Sequence, residues 1–208
     1  MLEYKVIVSA EFHTHQSLWQ YAILMEDLRL KNKNEGAHVD VEEALSCSML
    51  LNIAFAIEAH TNYLLEIACP AEYKNERETF SQDPYKGPLG KLEFLAKRLH
   101  MPLDKGCRPF QTIRQLFKWR DTMVHGKKEC YETTIKCDDL NKISLPESKR
   151  LNAYKTSWSN CAIEDSKKLC SSLQSSAYSD KTVKGVLSPE AFSGFLGSRG
   201  TEIIFSES

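Results

Sequence analysis

The stretch DVEEALSCSMLLNIAFAIEAHTNYLLEIAC, residues 40–69, decides the fold class. Asp40 is placed to cap a helix. Glu42 and Glu43 fall in its first turn, where the positive end of the helix dipole favours carboxylates. Pro70 helps to stop the same helix, because its ring and missing N–H do not fit a helix interior. Apolar residues occupy so much of the wheel that this helix must be buried on most sides. The run from Ala44 to Cys69 still carries Asn52, Glu58, His60, Asn62 and Glu66, too polar a set for an ordinary membrane span.

Upstream, EYKVIVS (3–9) reads as a short strand or as the lead-in to a helix. A helix is expected over about Glu11 to Asn32, with Trp19, Ile23 and Leu30 on one side, followed by the linker NKNEGAH. Downstream, residues 70–90 contain Pro84, Gly87, Pro88 and Gly90 and read as a loop. LGKLEFLAKRLHM (89–101) is a helix ended near Pro102, with His100 as an expected cap. PFQTIRQLFKWRDTMVH (109–125) is the next helix, and Gly126 suits its C-terminal end. ECYETTIKC (129–137) alternates like a strand, and residues 138–148 form a loop. A long helix covers about Lys149 to Tyr178. The Ser- and Gly-rich tail has room for a short helix after Ser188-Pro189 and a strand at TEIIF. The expected architecture is all-α, a bundle of four or more helices with a small β appendage. Its expected divisions are an N-terminal extension (1–39), a helical domain (40–178) and a C-terminal tail (179–208).

A chain of 208 residues can bury a core without disulfide or metal staples. The seven cysteines form no CxxC pair and no Cys/His zinc spacing. The start, MLEYKVIVSAEFHTHQ, lacks the basic and apolar regions of a signal peptide. A cytoplasmic protein with reduced thiols is expected, without cofactor or membrane partner. His13-Thr14-His15 is an HxH pair of the kind some metal-dependent hydrolases use, but no further ligand set follows, so no metal is expected. His60, on the buried helix, is expected to be a hydrogen-bonded core residue. Neither GxxxxGK[ST] nor GxGxxG occurs.

The net charge of −1 hides a local asymmetry. From Lys86 to Lys128 there are eleven Lys or Arg against Glu93, Asp104 and Asp121, which is +8 and leaves −9 for the rest. A phosphate-binding face has this pattern, and so does a solvated helix face. On a wheel with Arg114 at zero, Lys118 falls near 40°, Asp121 near −20° and His125 near 20°, which makes one polar stripe. Ile113, Leu116, Phe117, Met123 and Val124 oppose it, and Arg120 falls at about −120°, inside that apolar face. Asp121 and His125 are i,i+4 neighbours, so the carboxylate can orient the imidazole. A His that moves a proton beside cations that stabilise a phosphorane suits phosphodiester cleavage. An exposed Asp–His pair near a helix C-terminus is the plain structural alternative. Phe117 and Trp119 can stack on bases or fill the core.

Arg120-Asp121-Thr122-Met123-Val124-His125, followed by Gly126, resembles the R-x4-6-H motif of HEPN domains. AFAIEAHTNYLLEIA on the buried helix is similar to the corresponding HEPN helix, and the likeness covers about residues 40–175. The resemblance implies an all-α homodimer in which two motifs face each other. It implies a metal-independent endoribonuclease, often a toxin or defence effector, with a ribose 2′-hydroxyl as the nucleophile. Arg120 and His125 would then be catalytic and Asp121 supportive. Arg114, Lys118, Lys127 and Lys128 would bind RNA, and a protein antitoxin or regulator is a further expected partner. Other HEPN proteins are non-catalytic modules that bind a nucleotide or a protein. Glu58 shares a helix face with Leu51, Ala54, Phe55 and Leu65, and Arg120 lies on an apolar face, so the two charges are expected to pair.

Overall fold

The computed structural model describes residues 4–36, 39–125, 156–186, 188–193 and 197–205. The long helix is unbroken: α2 runs Val39–Ala68, thirty residues. Before it lie β1, Tyr4–Phe12, and α1, Thr14–Asn34. After it come α3 (Pro70–Lys74), α4 (Glu76–Thr79), α5 (Gly87–Arg98), α6 (Phe110–Val124), α7 (Thr156–Ser179) and β2 (Gly197–Phe205). The helical body is all-α among the described residues. The strands belong to one antiparallel ribbon, with Tyr4 opposite Phe205 and Phe12 opposite Gly197.

Three local expectations change. Residues 70–90 are not all loop, because Pro70 opens α3 as well as ending α2. A proline suits the first helical turn, where its missing N–H would have no partner anyway. Residues 188–193 form bends and a turn where a short helix was expected. His100 does not cap α5 with its ring. It follows the C-cap Leu99 with φ 53°, and its backbone N–H donates to the Lys97 carbonyl. The expected strand at 129–137, the loop at 138–148 and the first turns of a helix from 149 lie outside the described residues.

The chain clusters into two compact units, and α1, α2 and α7 contribute to both. The first comprises residues 1–20, 55–102 and 170–208. Its core holds Ile57, Leu64, Leu65, Leu92, Leu95 and Leu173, all fully buried. Each such side chain contributes about 1.5–3 kcal/mol by leaving water. Phe94 stands edge-on to both Phe80 and Tyr85, and Lys91 reaches from beneath Phe80 to Asn62 and Glu76. Gly90 is required here, since any Cβ would collide with the Tyr85 backbone.

The second unit comprises residues 21–54 and 103–169. Met49, Leu50, Ile53, Ile113, Leu116 and Ala162 are fully buried in it. Arg29 is also completely buried, and it is compensated. Its guanidinium donates to both oxygens of Glu26 at 2.7 and 2.6 Å and to Glu42 at 3.2 Å, which joins α1 to α2. Burial of α2 accounts for its apolar composition. It is the one described helix long and apolar enough to cross a membrane, and 50% of its apolar eighteen-residue stretch is buried inside the protein.

Candidate functional site

α6 presents the polar stripe that its spacing predicts. Arg114, Lys118, Asp121 and His125 are all exposed, while Phe110, Thr112, Ile113, Leu116, Phe117 and Trp119 are buried. Phe117 and Trp119 are therefore core residues, and Trp119 packs against Trp158 with centroids 6.4 Å apart. Val124 departs from the expected apolar face and is 57% exposed.

The start of α6 is fixed by a charged tie to α7 that the sequence did not suggest. Arg108 donates from Nε to Asp165 Oδ2 at 2.6 Å and from Nη2 to Oδ1 at 3.2 Å. Thr112 Oγ1 donates to the same carboxylate at 2.5 Å. Burial alone would raise the Asp165 pKa, but the hydrogen bonds from Arg108 and Thr112 prevail and hold it below the ordinary carboxylate value. Arg108 is raised in turn, chiefly by its hydrogen bond to Asp165.

At the other end, Arg120 and His125 differ in setting. The Arg120 side chain is only 13% exposed, with Nε 3.0 Å from Asp121 Oδ1. Its Cζ sits 5.2 Å from the Phe117 ring centroid, a cation–π arrangement. His125 is the exposed C-cap, and its backbone N–H donates to the Asp121 carbonyl at 3.1 Å. The expected Asp121–His125 side-chain contact is absent among the described residues. The helix ends at the C-cap His125, and the Arg120 guanidinium is the better partner for a carboxylate. Glu58 is half-buried rather than buried, and its neighbour Phe55 is 37% exposed. Glu58 belongs to the first unit and Arg120 to the second. Lys127 and Lys128 lie outside the described residues.

The first unit holds a cluster that the sequence showed only in pieces. His15 stacks on Tyr63 at 5.0 Å between centroids and meets His60 edge-on at 5.3 Å. His13 touches both His15, at 5.8 Å, and Tyr63, at 5.5 Å. His60 is fully buried and hydrogen-bonded as expected, with Nε2 2.9 Å from Gln174 Oε1. Burial, then the charges of His60 and His13, hold His15 down to about 3. Burial holds His60 down to about 4 despite the bond to Gln174. Both rings are thus neutral at pH 7. The i,i+3 spacing of His60 and Tyr63 was the available signal, but nothing linked it to the HxH pair far upstream. Among the described residues no group of three or more His, Cys, Asp or Glu is arranged to hold a metal ion. Cys47, Cys69, Cys107, Cys161 and Cys170 are free, and burial pushes the Cys170 thiol well up, which makes it a poor nucleophile.

An open depression of about 620 Å³ lies between the ends of α5 and α7, lined by Arg98, His100, Ser176, Asp180 and Thr182 among others. Arg98 there is committed to Asp180 and Thr182, each at 3.3 Å. Comparison of the chain with protein-family models, curated proteins and solved structures returns no match.

Proposed function

We propose that the chain is a metal-independent endoribonuclease of the HEPN type, built on a HEPN-like bundle and acting as a homodimer in the cytoplasm. The observation that carries this reading is the exposed His125 at the end of α6, five residues after Arg120 and in line with the exposed cations Arg114 and Lys118. In the proposed reaction the ribose 2′ oxygen attacks the adjacent phosphorus. His125 moves a proton, and Arg120 from one or both protomers stabilises the charged phosphorane. The 5′ oxygen leaves with a proton, so the products carry a cyclic phosphate and a 5′-hydroxyl. Doubling the motif across a two-fold axis would supply the second set of groups that one Arg and one His lack. Arg114 and Lys118, with Lys127 and Lys128, would hold the RNA backbone. Asp121 would position Arg120 rather than His125. A toxin or defence role, with a protein antitoxin or regulator as partner, belongs to the same proposal.

One observation favours a rival. Arg120 is largely covered and already engaged by Asp121 and Phe117, as suits a non-catalytic module that binds a nucleotide or a protein. Incubation with mixed RNA in EDTA separates the two. Cleavage by the parent protein that is lost in His125→Ala is the expected result. Absence of cleavage by either, with both folded and dimeric, would overturn the enzymatic reading.

A further inference from the structure

Residues 188–193 lie as a strap across the histidine cluster of the first unit. Three side chains hold the strap by its carbonyls. Gln174 Nε2 donates to Ser188 O at 2.9 Å, Ser175 Oγ to Pro189 O at 3.0 Å, and Gln16 Nε2 to Ser193 O at 3.3 Å. Ala191 is 1% exposed. Phe192 lies flat on Trp19, with centroids 4.2 Å apart and planes 3° apart. The same ring closes over His60 at 5.7 Å and His15 at 6.4 Å.

The strap is joined to the histidines by one more link. The Gln174 amide is divided between them: Oε1 accepts from His60 Nε2, and Nε2 donates to the Ser188 carbonyl. A hydrogen bond from the buried ring therefore orients the amide that ties down the strap. β1 ends at Phe12, just before His13, and β2 begins at Gly197, just after the strap. The cluster and the strap are thus the root of the ribbon.

Such a seat tolerates neutral rings and not charged ones. Among the described residues, the groups around His15 and His60 include His13 just before α1, Tyr63 from α2, Gln174 from α7, and Phe192 from the strap. The charges acting on His15 are those of His60 and His13, which are of like sign when protonated. No carboxylate is among the causes acting on either ring. A proton on either ring would sit beneath an aromatic lid with no carboxylate among the described residues acting on it, and opening the lid would readmit water.

We propose that residues 188–193 are a proton-operated latch: when His15 and His60 take up protons, Phe192 leaves its seat on Trp19 and the strap, with β2 behind it, comes away from α1 and α7. The device is independent of any ribonuclease activity. Each histidine that protonates only in the open form shifts the latch up to about tenfold per pH unit below about pH 6.5.

Hydroxyl-radical footprinting with peptide-resolved mass spectrometry reads the latch directly. Trp19 and Trp119 are each 7% exposed, but Trp119 belongs to the second unit and reports global unfolding. Between pH 7 and pH 5, oxidation of Trp19 and Phe192 should rise by at least about tenfold, reversibly, while Trp119 stays protected. A His15→Gln/His60→Gln double variant should lose that pH dependence. If the double variant does not fold, Phe192→Ala serves instead, and should show Trp19 oxidised at pH 7 with Trp119 protected. Three results would overturn the latch. These are Trp19 protection that is constant with pH, loss of Trp19 and Trp119 protection together, and a pH response that survives in the double variant. Trp19 staying protected in folded Phe192→Ala would do the same.

Discussion

Replacing Asp165 by Asn should cost about 1–2 kcal/mol of stability. The carboxylate is the acceptor for two Arg108 bonds and one Thr112 bond, at 2.6, 3.2 and 2.5 Å. A hydrogen bond to a charged group contributes about 1.5–3 kcal/mol. The two partners do not contribute equally. The Arg108 side chain is 51% exposed, so solvent screens it and its share is the smaller one. Thr112 is 6% exposed, so its hydroxyl cannot turn to water, and most of the loss falls on this bond. Asparagine keeps an oxygen in the Oδ2 place but a neutral one, so the buried Thr112 bond loses its charge assistance, while the N–H₂ replaces only the acceptor of Arg108 Nη2. Urea unfolding followed by circular dichroism gives the stability change, and a double-mutant cycle divides it. The cycle with Thr112→Val should give a coupling above about 1 kcal/mol, larger than that with Arg108→Gln. A change below about 0.5 kcal/mol for Asp165→Asn, or a larger coupling to Arg108, would refute this division. The carboxylate pKa is lowered by folding, so its contribution is full above about pH 4 and disappears as pH falls through the depressed folded value.

Acid should act earlier through His60, whose folded value of about 4 lies below an ordinary 6.5. At about 1.4 kcal/mol per unit, stability should fall by up to about 3 kcal/mol between pH 6.5 and 4. His60→Gln should flatten that slope in denaturation series run at each pH. Gly90→Ala should destabilise by more than the about 1 kcal/mol that a helical Gly-to-Ala change ordinarily gains, and with opposite sign, because the Tyr85 backbone blocks the new methyl. Calorimetric melting would check it, and an unchanged or raised Tm would count against the close approach. On the ribonuclease proposal, Arg114→Gln/Lys118→Gln should lower the slope of log affinity for single-stranded RNA against log salt by about 1.4, two contacts at about 0.7 each. An unchanged slope in titrations at several salt concentrations would take these residues off the RNA path.

The helices were legible where periodicity was strong. α2, α5 and α6 lie within a few residues of the bounds that Asp40, Pro70, Pro102 and Gly126 suggest. The wheel also separated the α6 stripe from its buried face, because four turns of regular helix make the angles reliable. It failed at the last turn. Val124 is apolar by type but lies past the end of the core, and Asp121 found its charged neighbour before the ring one turn away. The tie between Arg108 and Asp165 and the meeting of His15 with His60 were not legible for a different reason. Their partners lie 57 and 45 positions apart in sequence, and no local pattern encodes contacts of that range. Residues 70–80 were misread because Pro was taken only as a terminator, although it also starts helices.

The ribbon sets a schedule for the nascent chain. Tyr4 lies opposite Phe205, so β1 is synthesised 201 positions before the last residue with which it pairs. At about 5–20 residues per second, translation leaves β1 waiting about 10–40 s for β2. Throughout that interval its backbone N–H and C=O groups face whatever else is extended nearby, including β1 of a neighbouring polysome. Helical segments can form in microseconds once they emerge. Pairing of β1 therefore waits on the synthesis of residues 197–205, an interval in which a chaperone can shield β1.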